Sequence, residues 1–224
     1  AAEIMAKLTK ARLPHHVSEP CTRFLETMAK SVNPIEAAVL RGLTKPKLGK
    51  FLLHTLIPAG QERVTMQANL SNTVNPTILR AGSKINVVPS EVVIDVDGRT
   101  VPTSSAEELI EEVRELIGPD PTIELLREEP ATVFSPDTEV YEEIERVLKE
   151  HDPEADPLPY MVYGVTDSRN YAKLGTTCYG FYPLKMPPGM PFYDLFHGDD
   201  ERIPVEGFKF GIQALYDLVE RIVS

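Results

Sequence analysis

The sequence has no tryptophan, only two cysteines and no apolar run long enough to cross a bilayer. Each shortage excludes something. Cys21 and Cys178 stand far apart and in no CxxC pair, which removes both a disulfide framework and a thiolate metal site. A reducing compartment fits best, so the cytoplasm is the expected location. The longest apolar stretch, around residues 51–59, is broken by His54 and falls far short of the roughly 20 residues of a spanning helix, so no membrane partner is expected. Cations are also short: 23 Lys and Arg against 34 Asp and Glu give a net charge of −11. A nucleic acid or an anionic membrane as main partner needs clustered Lys and Arg, and neither is expected here. The opening AAEIMAKL lacks a basic stretch followed by an apolar one, so it does not read as a secretory signal. It also lacks an initiator Met, and the natural start is expected upstream.

What is present suits a globular protein. With 224 residues and 42% hydrophobic content, one large domain or two modest ones can fill a core. Twenty prolines cut the chain into short helix and strand signals, a mixed α/β pattern. Residues 2–8 and 18–30 read as amphipathic helices, the second opening at Ser18-Glu19-Pro20, and Asn33-Pro34 opens a third with Ile35, Val39 and Leu40 inward. Residues 42–61 give no firm reading. From Val64 the pattern turns to strands, with NTVNPTILRAGS and VVPSEVVIDVDGRTV forming a hairpin whose Val92, Ile94 and Val96 alternate at period two. Ser104 and Ser105 ahead of Glu107 and Glu108 make a capping box for a helix with Leu109, Ile110, Val113 and Leu116 on its inner face, which Gly118-Pro119 stops. TIELLREE reads as the next strand. The order helix, strand, strand, helix, strand lacks only one leading strand to complete a ferredoxin-like βαββαβ sandwich. After Pro130, SPDTEVYEEIERVLKEH reads as a helix capped by Ser135 with Val140, Ile144 and Val147 on one face. MVYGV and CYGFYPL read as strands, and the tail as a final helix burying Phe208, Ile212, Leu215, Leu218, Val219 and Ile222.

Chemistry concentrates in three segments. Asn86-Val87-Val88-Pro89 is followed by Asp97 and by Arg99, thirteen residues after Asn86. Gly164, Thr166, Asp167 and Arg169 form a Gly-x-Thr-Asp-x-Arg turn, and His197-Gly198-x-Asp200-Glu201-Arg202 precedes the last helix. A neutral imidazole on a loop entering a helix is a good metal ligand if a neighbouring acceptor fixes its second nitrogen, and Asp199, Asp200 and Glu201 are near enough in sequence to supply one. Taken singly, each segment has a plainer reading: a surface histidine beside a helix N-terminus, a turn arginine and asparagine, a helix cap. A guanidinium can grip a carboxylate with two parallel hydrogen bonds, and an amide can donate to a carbonyl.

Together, and in this order, the three segments resemble the zinc peptidase and amidohydrolase superfamily of aminoacylase, carboxypeptidase S, acetylornithine deacetylase and succinyl-diaminopimelate desuccinylase. The resemblance implies a lid and dimerisation domain over residues 1–134, lacking its first strand, and the C-terminal part of a mixed α/β zinc-binding catalytic domain over 135–224. It implies a homodimer formed through the lid and a small-molecule amide or peptide as substrate. It gives Arg99 the substrate carboxylate with Asn86 close by, Gly164 and Thr166 a cradle for the substrate, and His197 a zinc. Many relatives carry two or three glycines before the threonine, whereas Tyr163-Gly164-Val165 supplies one.

Two zinc ions roughly 3.5 to 4 Å apart need about five or six ligands and a general-base carboxylate. The chain offers one ligand, His197, so by itself it is expected to be inactive and poor in metal. His15, His16, His54 and His151 read as loop or surface residues. The Glu-Glu pairs at 107–108, 111–112 and 142–143 read as solvated helix faces, and the pair at 128–129 as a strand end. A non-catalytic dimerisation or small-molecule binding module is the alternative.

Overall fold

The computed structural model describes residues 1–129, 131–162, 164–190, 195 and 198–224. They divide into two units, one of residues 1–131 with 160–165 and the other of residues 132–159 with 166–224.

The first unit runs α1 (Ala2–Thr9), α2 (Glu19–Met28), α3 (Pro34–Leu43), α4 (Pro46–Thr55), α5 (Gln61–Leu70), β1 (Thr73–Ala81), β2 (Val92–Arg99) and α6 (Ala106–Ile117). Local chemistry explains most of the helix starts. The Ser18 hydroxyl accepts from the Cys21 N–H, and the Asn33 side chain accepts from the N–H groups of Ile35 and Glu36, so each satisfies orphan donors of the first turn. Ser105 and Glu108 form the reciprocal capping box that the sequence announces. Two cores result. Helices α2 to α5 enclose Cys21, Leu25, Leu43, Leu53 and Leu70, while α1 and α6 cover one face of the hairpin around Leu8, Leu13, Val74 and Leu109.

The fold is mixed α/β, with four departures from the sequence reading in this unit. The stretch from Val64 to Leu70, expected as the start of the strands, belongs to helix α5, and the hairpin begins at Thr73. Ile35 is exposed on α3, which turns Ala37 and Leu43 inward instead. Of Val92, Ile94 and Val96 only Ile94 joins the core. Residues 122–129 adopt neither helix nor strand, so the sheet among the described residues is the two-stranded β1–β2 hairpin. An alternating pattern prepares a strand for burial but supplies no neighbour for its N–H and C=O groups.

The second unit holds α7 (Glu139–His151), the short α8 (Ser168–Ala172) and α9 (Val205–Val223). Thr138, not Ser135, caps α7, accepting from the Tyr141 N–H at 3.2 Å. Ile144 and Val147 of α7 pack with Ala214 and Leu218 of α9, and Val140 stays outside. His151 and Asp217, 2.6 Å apart, and Arg221 with Glu150 join the same two helices. MVY and CYGFYPL form no strand among the described residues. The inward face of α9 is also not the expected one. Gly207, Gly211, Ala214 and Leu218 are buried, whereas Phe208, Ile212, Leu215, Val219 and Ile222 remain between 41% and 54% exposed. At Gly207 and Gly211 a Cβ would collide with the carbonyls of Lys185 and Pro183, so missing side chains let that segment lie against the helix.

Candidate functional site

The hairpin carries the first two site residues. β1 and β2 pair antiparallel from Thr73 opposite Arg99 to Ala81 opposite Val92, with a register shift between Pro76 and Ile78. Pro76 has no N–H to give, and a bulge beside it absorbs the missing bond. Asn86 lies in the exposed loop of residues 82–91 that closes the hairpin. Arg99 is the last residue of β2, at the other end. Seven residue steps separate Val92 from Arg99, about 23 Å of strand, so the hairpin holds the two apart. The Arg99 Nε donates to Asp97 at 2.9 Å, and both side chains are nearly half exposed. Asp97 thus sets the direction of the guanidinium beside the end of the sheet. Gly98 has a neighbouring role: a Cβ there would meet the tip of Leu109 at 2.7 Å, so its absence lets α6 close on β2.

Gly164 is exposed. Thr166 is exposed too, and its hydroxyl bonds the Ser168 hydroxyl. Asp167 stands at the N-cap of α8 without a side-chain bond to the helix. His197 lies outside the described residues. Next to it, the Gly198 N–H donates to the Leu195 carbonyl at 3.2 Å, Asp200 pairs with Arg202, and Asp199, Asp200 and Glu201 face solvent. Among the described residues, no group of three His, Cys, Asp or Glu side chains is placed to hold a metal ion. The described residues therefore do not make a zinc site.

A polar cluster that the sequence reading passed over occupies the first unit. Asn72, 1% exposed, donates through Nδ2 to the Ser104 hydroxyl at 2.9 Å and to Glu112 at 3.1 Å, and its Oδ1 accepts from the Val101 N–H at 3.0 Å. His16 Nε2 contacts the other oxygen of Glu112. His15 Nδ1 lies 3.1 Å from the Ser71 hydroxyl, its buried Nε2 has no partner among the described residues, and burial, with Lys50, His54 and His16 nearby, lowers its pKa to about 4. The cluster ties the α1–α2 connection, the entry to β1 and the start of α6 into one hydrogen-bonded unit. Neither His15 nor His16 is a plain surface residue, and Glu112 is not on a solvated face. The signal was in the spacing: Glu112 falls with Leu109, Val113 and Leu116 at i, i+3, i+4 and i+7 on the inner stripe of α6.

Comparison with known proteins accords with this layout. Residues 1–121 match the family described as peptidase dimerisation domain. A probable carboxypeptidase S-like 2 of Dictyostelium discoideum is 28% identical over 161 residues, 70% of this chain and 30% of that protein. The N-fatty-acyl-amino acid synthase/hydrolase PM20D1 is 24% identical in Mus musculus and 27% in Homo sapiens, in each case over 76% of this chain and 35% of the relative. The chain thus spans about a third of the length of these curated relatives. No solved structure matches.

Proposed function

This chain belongs to the peptidase dimerisation-domain family, and from that premise we propose that it is the lid and closing segment of a zinc-dependent amidohydrolase or exopeptidase. The substrate is an N-acyl amino acid or small peptide whose amide adjoins a free carboxylate. One observation carries the reading: the family match ends at residue 121, yet similarity to hydrolytic relatives covers about three quarters of the chain. Residues beyond the lid therefore share the ancestry of an enzyme. The bare stripe of α9 supports it as well, since a helix with five half-exposed large apolar residues fits a larger hydrophobic assembly than the second unit supplies. On this reading residues 1–134 are the lid and 135–224 the returning part of the catalytic domain, in a cytoplasmic homodimer.

Zinc enters only as a property of the whole protein, where it would polarise the amide carbonyl and activate water. His197 is the residue of this chain assigned to it. The other residues act by binding and orientation. Arg99, aimed by Asp97, holds the carboxylate of the substrate with its planar fork. Because the hairpin keeps Asn86 at its far end, Asn86 makes a separate contact with the substrate. Gly164 and Thr166 offer backbone and hydroxyl donors to the acyl side.

The test compares kcat/KM of the whole enzyme for an N-acyl amino acid and its carboxamide analogue, in wild type and Arg99→Ala. The expected loss is about 2 to 5 kcal/mol on the acid and little on the carboxamide, with Arg99→Lys recovering only part. Equal slowing of both substrates would assign Arg99 to the structure of the hairpin and remove it from the site.

A further inference from the structure

The charge of −11 is unevenly distributed. Residues 1–90 hold twelve Lys and Arg against five Asp and Glu, a net of +7, and residues 91–224 hold eleven against twenty-nine, a net of −18. The segregation is sharpest around α4. Residues 37–61 contain Arg41, Lys45, Lys47, Lys50 and His54 and no carboxylate, and residues 4–18, with Lys7, Lys10 and Arg12, contain none either. The fold joins these two stretches, because the Lys50 ammonium donates to the Arg12 carbonyl at 2.8 Å. Arg63 reaches the His54 carbonyl at 3.5 Å from α5. Among the described residues, Arg12, Lys45, Lys47, Lys50 and Arg63 form no ion pair with a carboxylate. His54 senses the result: partial burial, then Arg12, Arg63 and Lys50, hold its pKa below the usual value.

The same helix exposes large apolar residues. Gly49 and Leu53 of α4 face the core, which turns Lys47, Leu48, Phe51 and Thr55 outward at helical spacing. Leu48 is 49% exposed, Phe51 61% and the following Leu56 54%. An aromatic and two leucines rimmed by lysines that pair with no carboxylate among the described residues match the layout of a helix that lies in the plane of a bilayer interface. A second copy docking this face on itself would set Lys45 and Lys47 against their own counterparts without a carboxylate to offset them. We propose that the outer face of α4, centred on Phe51 and rimmed by Lys45, Lys47 and Lys50, is a docking surface for an anionic lipid bilayer. Leu48 and Phe51 enter the boundary between headgroups and acyl chains, and the lysines meet the headgroup anions. The whole-chain charge that argued against a membrane averages this basic region with an acidic remainder. The proposal stands independently of the hydrolase reading.

Cosedimentation of the 224-residue chain with vesicles of phosphatidylcholine, with and without about a third phosphatidylserine, tests it. Partitioning onto the anionic vesicles is expected to be at least about tenfold stronger and to fall away in high salt. Lys47→Ala should weaken it by about fivefold and the pair Lys45→Ala, Lys47→Ala by about twenty-fivefold, while Phe51→Ser costs about tenfold or more. These side chains are exposed, so circular dichroism and thermal unfolding should stay unchanged, and a variant that alters them is replaced by Leu48→Ser. Equal binding to both vesicle types, no binding to either, or variants that bind like wild type would overturn the proposal. So would a Phe51→Ser chain that changes its sedimentation coefficient but not its vesicle binding, since the face would then be a contact between copies.

Discussion

The two units differ in the size of the core that each closes for itself. The first closes over Leu25, Leu43, Leu53 and Leu70, none of which retains any exposure. The second buries Val147 and Ala214 between two helices and leaves the large residues on the other side of α9 in water. Folding free energy scales with apolar surface removed from solvent. The first unit therefore holds its own stabilisation, while the second draws on a narrow contact reinforced by glycines and ion pairs.

The largest test of this contrast sets one core leucine against one stripe residue. Leu53→Ala should cost about 2 to 5 kcal/mol, read as a fall in the urea midpoint, whereas Ile212→Ala should stay within about 1 kcal/mol. If the two cost the same, the stripe is covered in solution and the contrast fails. A smaller effect is expected at the contact that the second unit does possess. Gly211→Ala pushes a methyl into the Pro183 carbonyl, and about 1 to 3 kcal/mol of crowding should exceed the gain of about 1 kcal/mol in helix propensity. Hydrogen exchange should then quicken in α7 and α9 and stay unchanged in α2 to α5.

The smallest effect sharpens the comparison through pH. His15 has a folded-state pKa of about 4 against an ordinary 6.5, so the unfolded chain takes up the proton first. Stability from this group is fully present above pH 6.5 and declines as pH falls towards 4. With the ring partly open to water, the loss is on the order of 1 kcal/mol. The difference in urea midpoint between wild type and His15→Gln should therefore shrink from pH 7.5 to pH 5, with no matching change in exchange rates of the second unit. A constant difference would mean that His15 is solvated in the folded protein.

Elements that carry their own boundary chemistry were legible in the sequence. Ser18, Asn33 and Ser105 bond the helix starts they mark, and the hairpin forms within the stretches that read as strands. The rest depended on partners that a sequence does not display. Helix α5 has Gly60 at its N-cap and so no side-chain cap, and its Val64 and Thr65 favour a strand. On α9 the pattern points the large residues inward, but the closest contact is made by the small ones, because only glycine admits the backbone of residues 183–185. In the candidate site, the placement of Arg99 at the end of a strand was readable, whereas Asn86, expected at the start of that strand, lies in the loop before it, and their separation follows from the length of β2. Glu112 was hidden by its own charge: a carboxylate on an apolar stripe is evidence of a buried partner, and that partner was His16.

Residues 82–91 give this chain a natural place to be divided. Ile85, Val87 and Val88 stand fully or largely open there, and exposed loop tips are where proteases cut first. The strands on either side remain paired from Thr73–Arg99 to Ala81–Val92, and Val74 and Ile94 share the core beneath α1 and α6. A single nick would leave the sheet intact, with the two pieces held by the ladder and its core. The same position would accept an inserted sequence, or new termini in a circularly permuted chain, with the hairpin acting as the clasp.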